Sequence, residues 1–127
     1  MGVLLAGSLA VGIGVQAPAA SAADFCASRI SGSTYYQHNF SYGGSVAATI
    51  CAPGGAGNAY LYARGKYADV SKYMKLSIQT GSSTVSVDGD YYSYVYRSQP
   101  AGNHTYHAIM YDGNGHKIVD GYASDFD

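Results

Sequence analysis

Between Tyr73 and Gln79 the chain alternates without a break, with Met74, Leu76 and Ile78 on one side and Lys75, Ser77 and Gln79 on the other. A period of two marks a half-buried β-strand, because successive side chains of a strand leave on opposite faces. The pattern recurs. Val46, Ala48 and Ile50 share a face within 45–51, Leu61 opposes Tyr60 and Tyr62 within 59–63, and Val85 and Val87 point inward within 84–88. Residues 91–97, 104–111 and 117–122 predict further strands, and 35–40 an earlier one. Composition agrees: the chain has no Glu, only Leu61 and Leu76 as leucines beyond residue 22, and 14 tyrosines. Strong helix formers are scarce, whereas Tyr, Val, Thr and Ile suit a pleated surface.

Turn chemistry separates these segments. Residues 53–58, Pro-Gly-Gly-Ala-Gly-Asn, predict a flexible loop, and Asp88-Gly89 and Asp112-Gly113-Asn114-Gly115 predict hairpin turns, where Gly and Asn supply positive φ. Seven or eight short antiparallel strands with regular turns imply an all-β domain, a single small β-sandwich.

The first 22 residues carry no charged side chain, run apolar to Gln16, and end in Ala20-Ser21-Ala22, the small-x-small pattern of a signal-peptidase site. The expectation is a cleaved secretion signal over 1–22, followed by one domain over 23–127, with no stable membrane span after cleavage. A signal ordinarily opens with Lys or Arg, so the uncharged Met-Gly-Val predicts a true start upstream of Met1. Cys26 and Cys51 then form an even pair in an exported chain, which predicts one disulfide that stabilises the fold by roughly 3 kcal/mol. A net charge of −1 argues against nucleic acid as a partner, since neutralising phosphates needs a basic excess.

No catalytic constellation emerges. There is no G-x-S-x-G, and a triad built from His104 or His107 with Asp112 and a serine has no support from spacing. Paired carboxylates for acid–base work would come from Asp88 and Asp90, or from the C-terminal Asp120, Asp125 and Asp127; Asp88 and Asp90 read instead as turn residues. His104 and His107, three apart on one strand, face opposite sides and do not share a metal ion. Asp88, Asp90, Asp112 and Asn114 offer hard oxygens, yet no complete calcium loop is present. Neither a metal nor a cofactor is implied.

The tyrosines are the most informative feature. Tyr92, Tyr94 and Tyr96 are predicted to share one face of a strand with Tyr91 and Val95 opposite, and Tyr60 and Tyr62 form a second row. Such rows present rigid apolar area with a hydroxyl tip, suited to sugar rings or a protein surface. The competing reading is that they are cross-strand aromatic pairs, stabilising a domain poor in leucine. The leading expectation is a non-enzymatic secreted or surface-associated binding module. A secreted protease inhibitor using a loop over 52–58 is the alternative, and a small hydrolase requires His104 or His107 to meet a carboxylate and a serine in a cleft.

Pro100 to Tyr106, with Ala108, Met110 and Asp112-Gly-Asn-Gly115, resembles the last two strands of immunoglobulin-like domains. That resemblance implies a tyrosine, here Tyr106, hydrogen-bonded back to the preceding corner. Leu76-Ser-Ile-Gln-Thr-Gly81, Asp88-Gly-Asp-Tyr-Tyr-Ser-Tyr94 and Pro100-Ala-Gly102 resemble the small secreted spore-associated protein A group of streptomycetes. This resemblance implies a bacterial, actinobacterial protein at the cell or spore surface, whose partner there is a protein or glycan. The chain departs from that group in having only two cysteines, with none after residue 102.

Overall fold

The computed structural model describes residues 25–30 and 35–124. The expected signal over 1–22, its cleavage site and the C-terminal Asp125 and Asp127 lie outside the described residues. Residues 25–30 form a short helical turn, in which the Arg29 and Ile30 N–H groups donate to the Cys26 carbonyl at 2.9 and 3.1 Å and the Arg29 guanidinium covers the Phe25 ring. Both cysteines are disulfide-bonded.

Residues 35–124 contain one 3-10 turn (Gly65–Tyr67) and eight strands: β1 (Tyr35–Tyr42), β2 (Ser45–Pro53), β3 (Gly57–Ala63), β4 (Lys72–Thr80), β5 (Ser83–Tyr91), β6 (Tyr94–Gln99), β7 (His104–Tyr111) and β8 (Lys117–Ser124). They make two four-stranded antiparallel sheets, ordered β1-β2-β3-β6 in sheet 1 and β5-β4-β7-β8 in sheet 2. One apolar core joins them in a sandwich-like arrangement. Ala48, Ile50, Leu61 and Val95 from sheet 1 belong to the same buried cluster as Met74, Leu76, Ile78, Tyr106, Ala108 and Met110 from sheet 2. The expected inward faces of 73–79, 59–63 and 84–88 are the observed ones, Val85 and Val87 being half-buried against that core.

Three local expectations are corrected. Residues 88–90 are not a hairpin turn, because β5 runs through them in register, with Gly89 opposite Met74. Gly89 has φ 149, and the Tyr91 ring folds back over it so that a Cβ there would lie 3.3 Å from the ring. The ring thus fills the place of the missing side chain, and the break expected after 84–88 falls instead at Tyr92-Ser93, between β5 and β6. The loop anticipated over 53–58 narrows to 54–56, and its Gly55 carbonyl accepts a 2.6 Å hydrogen bond from Gln99 Nε2. The strand anticipated over 91–97 is two pieces: Tyr91 ends β5 in sheet 2, and β6 begins at Tyr94 in sheet 1.

In β2, Ala47 and Thr49 are buried as well as Ala48 and Ile50, so that strand is covered on both faces rather than one. Tyr106, the third residue of β7, donates from its hydroxyl to Gln99 Oε1 at 2.7 Å, while His104 Nε2 lies 2.6 Å from the Pro100 carbonyl oxygen. Tyr106 does therefore reach back to the corner between β6 and β7, through the Gln99 side chain.

Candidate functional site

The β3–β6 pairing places Tyr60 opposite Tyr96 and Tyr62 opposite Tyr94, with Leu61 opposite Val95. Leu61 and Val95 are in the core, so the four tyrosines share the outer face of sheet 1. Their rings form one connected group, with centroids 5.1 Å apart for Tyr62–Tyr94, 5.8 Å for Tyr60–Tyr96 and 5.6 Å for Tyr60–Tyr62. Contacts of this kind contribute about 0.5–1.5 kcal/mol per pair beyond area burial. The rows extend across the sheet: Asn39, Thr49, Tyr62 and Tyr94 are successive cross-strand neighbours, as are Gln37, Cys51, Tyr60 and Tyr96. Along the first of them Arg64 Nη1 donates to Thr49 Oγ1, and Thr49 Oγ1 to Asn39 Oδ1, both at 2.8 Å.

The group is graded rather than uniform. Tyr62 is buried, with 7% of its surface exposed, Tyr60 is half-buried, and Tyr94 and Tyr96 expose 43% and 52%. Burial therefore divides the rows: the β3 tyrosines pack, and the β6 tyrosines meet solvent. Tyr92 is not in the row. It occupies the corner between the sheets and is 64% exposed.

That corner is tightly held. The buried Lys72 ammonium donates to the Tyr92 carbonyl at 2.6 Å, and the Asp69 N–H reaches the same oxygen at 2.9 Å. The Ser93 hydroxyl donates to Asp69 Oδ1 at 3.2 Å, and the Ala63 N–H to the Ser93 carbonyl at 2.9 Å. Asp69 adopts φ 65 to make these bonds, a left-handed conformation that Asp tolerates better than most residues. Burial pushes the Lys72 ammonium below the ordinary lysine pKa, and the nearby Asp69 charge partly opposes this. Where β6 starts, and hence which tyrosines join the outer face, is decided here.

A second polar group lies on the outer face of sheet 2 and was not anticipated. His107 and Tyr122 are cross-strand partners with stacked rings, 4.1 Å between centroids, and Tyr122 is exposed. His107 Nε2 meets Asp120 Oδ1 at 2.7 Å, and Lys117 Nζ donates to Asp120 Oδ2 at 2.9 Å. The His107 hydrogen bond, and then that from Lys117, hold the Asp120 carboxyl below its ordinary pKa. Same-face spacing of Asp120 and Tyr122 was visible in the chain, but not their register with His107.

An imidazole on a carboxylate is half of a nucleophile-activating pair. Ser77 is in register with His107, but its hydroxyl donates to Ser86 Oγ at 3.3 Å, and no serine hydroxyl engages the imidazole among the described residues. His104 is buried and bound to the Pro100 carbonyl. Asp112, proposed as the triad acid, instead accepts the N–H groups of Asn114 and His116, both at 2.9 Å, as the anchor of the β7–β8 turn. The His116 N–H is the main reason its carboxyl lies below the ordinary value.

Among the described residues no group of three or more His, Cys, Asp or Glu side chains is placed to hold a metal ion. Among the described residues, too, no helix is long and apolar enough to cross a membrane. No family model, curated protein or solved structure matches this chain.

Proposed function

We propose that this domain is a non-enzymatic binding module of immunoglobulin-like form, working outside the cell, whose β6 tyrosine row contacts a carbohydrate or protein partner. The observation that carries the reading is the outer face of sheet 1, where a connected group of tyrosine rings ends in two solvent-exposed rings on a sheet edge. Rigid rings held by neighbours lose little conformational freedom on binding, so they make efficient contact surfaces. The immunoglobulin-like reading draws support from β2-β3-β6 facing β5-β4-β7-β8, and from Tyr106 reaching the corner before β7. Resemblance to the spore-associated protein A group and the Ala20-Ser21-Ala22 site point to a bacterial cell or spore surface as the place of action.

Glycan arrays and pull-downs from envelope extracts test the reading. The wild type is expected to retain a partner that the Tyr94→Ala/Tyr96→Ala variant binds about tenfold more weakly or worse. Unchanged binding by the folded double variant, or no partner for the wild type, overturns it.

A further inference from the structure

The face ends at an edge, and the edge has its own geometry. Among the described residues β6 pairs with β3 alone, and the Ala63 N–H to Ser93 carbonyl bond sets the phase of that ladder. Hydrogen-bonded pairs alternate along an antiparallel ladder, so Val95, Arg97 and Gln99 exchange bonds with β3. Tyr94, Tyr96 and Ser98 consequently direct their N–H and C=O groups away from the sheet. A groove runs along this edge, walled by Val87 and Tyr91 of β5 and by the consecutive run Tyr94–Ser98 of β6. Side chains of both faces of one strand line a single groove only when the groove follows the strand's edge.

The four sheet edges differ. β8 carries an irregularity where Tyr111 pairs with Lys117 after Met110 pairs with Val119, and β1 pairs with β2 across a similar break at Phe40/Ser41. β5 bears Asp88 and Asp90. β6 is regular and contains no acid, and its Arg97 guanidinium, lining the groove, has no hydrogen-bond or ion-pair partner among the described residues. No strand of sheet 1 contains Asp or Glu, and the nearest strand acids, Asp88 and Asp90 on β5, alternate with Val87 and Gly89 and so leave from the opposite face of that strand. Asp88 is also engaged by the Tyr73 hydroxyl at 2.9 Å.

We infer that the β6 edge takes an extended acidic segment of a partner protein by strand addition, the added strand continuing sheet 1 and placing a carboxylate on Arg97. The inference rests on the tyrosine-face reading and narrows its partner to a peptide strand. Exposed edge strands are ready templates for such pairing, with main-chain bonds giving affinity and alternate side-chain contacts giving specificity. Inward residues of the added strand meet Val95 and Arg97, two apart, so the recognised pattern is an apolar and an acidic residue two apart, apolar first in a parallel strand and acidic first in an antiparallel one. The residue between them faces outward beside Tyr96. A second copy of β6 is the wrong occupant, because it brings another arginine and no acid to the same place.

The test uses the full chain with a capped Thr-Val-Thr-Asp-Thr-Val peptide and its counterpart with Lys in place of Asp. The acidic peptide is expected to bind and to slow hydrogen exchange at the Tyr94, Tyr96 and Ser98 amides. Arg97→Gln is expected to weaken it about fivefold and to remove most of its salt dependence. Ser98→Pro deletes an outward N–H at an edge position where proline is tolerated, and is expected to abolish binding while circular dichroism shows the fold intact. Equal binding of the Lys peptide, or binding without protection of those three amides, overturns the inference. So does concentration-dependent self-association through β6 without peptide binding. Loss of a glycan or envelope partner in Tyr94→Ala/Tyr96→Ala but not in Ser98→Pro overturns strand addition and leaves the tyrosine face standing.

Discussion

The two sheets share one core but turn opposite chemistry outward. Sheet 1 presents the tyrosine group, with no carboxylate in any of its strands, while sheet 2 presents Lys117–Asp120–His107 and a tyrosine held by Asp88. On sheet 2 most charged groups of the face already have partners within the sheet. On sheet 1 the exposed rings and Arg97 at the edge have surface left over. A surface whose polar groups are mutually satisfied gains little from a ligand, and one with unspent contacts gains more. This is why the candidate site falls on sheet 1 although the more conspicuous hydrogen-bond network lies on sheet 2.

The comparison breaks most completely if the core is not common to both sheets. Leu76→Ala is expected to cost about 2–5 kcal/mol, with tyrosine fluorescence and circular dichroism falling in one transition. Separate transitions would mean that the sheets are stabilised independently. Next in size is Tyr106→Phe, which strips Gln99 Oε1 of its buried donor and is expected to cost about 1–3 kcal/mol in denaturant unfolding. A cost within error would show that the corner before β7 does not depend on that bond.

The smallest effect, and the one that separates the sheets, is the response to acid. Burial holds His38 of β1 below its ordinary pKa of 6.5, so the folded state favours the neutral ring. Its contribution is complete above 6.5 and falls as pH drops from there through the lower folded pKa. Asp112 and Asp120, both tied to sheet 2, have folded pKa values below 3.8, so their contributions persist above 3.8 and fade only as pH falls through those values. Stability against urea is therefore expected to decline first with a sheet 1 component, which His38→Gln removes, and later with a sheet 2 component, which Asp120→Asn reduces. A single decline unaffected by either variant would dissolve the distinction.

Much of this domain was legible in the chain. The alternation at 73–79, 59–63 and 84–88 placed the inner and outer faces correctly, because the period of two is a property of the extended backbone itself. Turn chemistry was less reliable. Asp88-Gly89 carries the residues of a hairpin turn, yet the local preference is overridden by nine consecutive pairs with β4 and by the Tyr91 ring closing over Gly89. Tyr92 followed the alternation of Tyr94 and Tyr96 on paper, but the Lys72 and Asp69 bonds to its carbonyl end one strand and begin another between them.

The sequence by itself determined that the domain is all-β, which side of the strands at 73–79, 59–63 and 84–88 faces inward, and that Tyr60 and Tyr62, like Tyr94 and Tyr96, lie together on their own strands. These follow from local geometry repeated every two residues. Only the tertiary structure decided that Tyr60 meets Tyr96, that His107 meets Asp120, and that β6 is an edge. Strand order and register are set by pairings between distant segments, where many alternatives carry the same alternation and only the packed core and the corners choose among them.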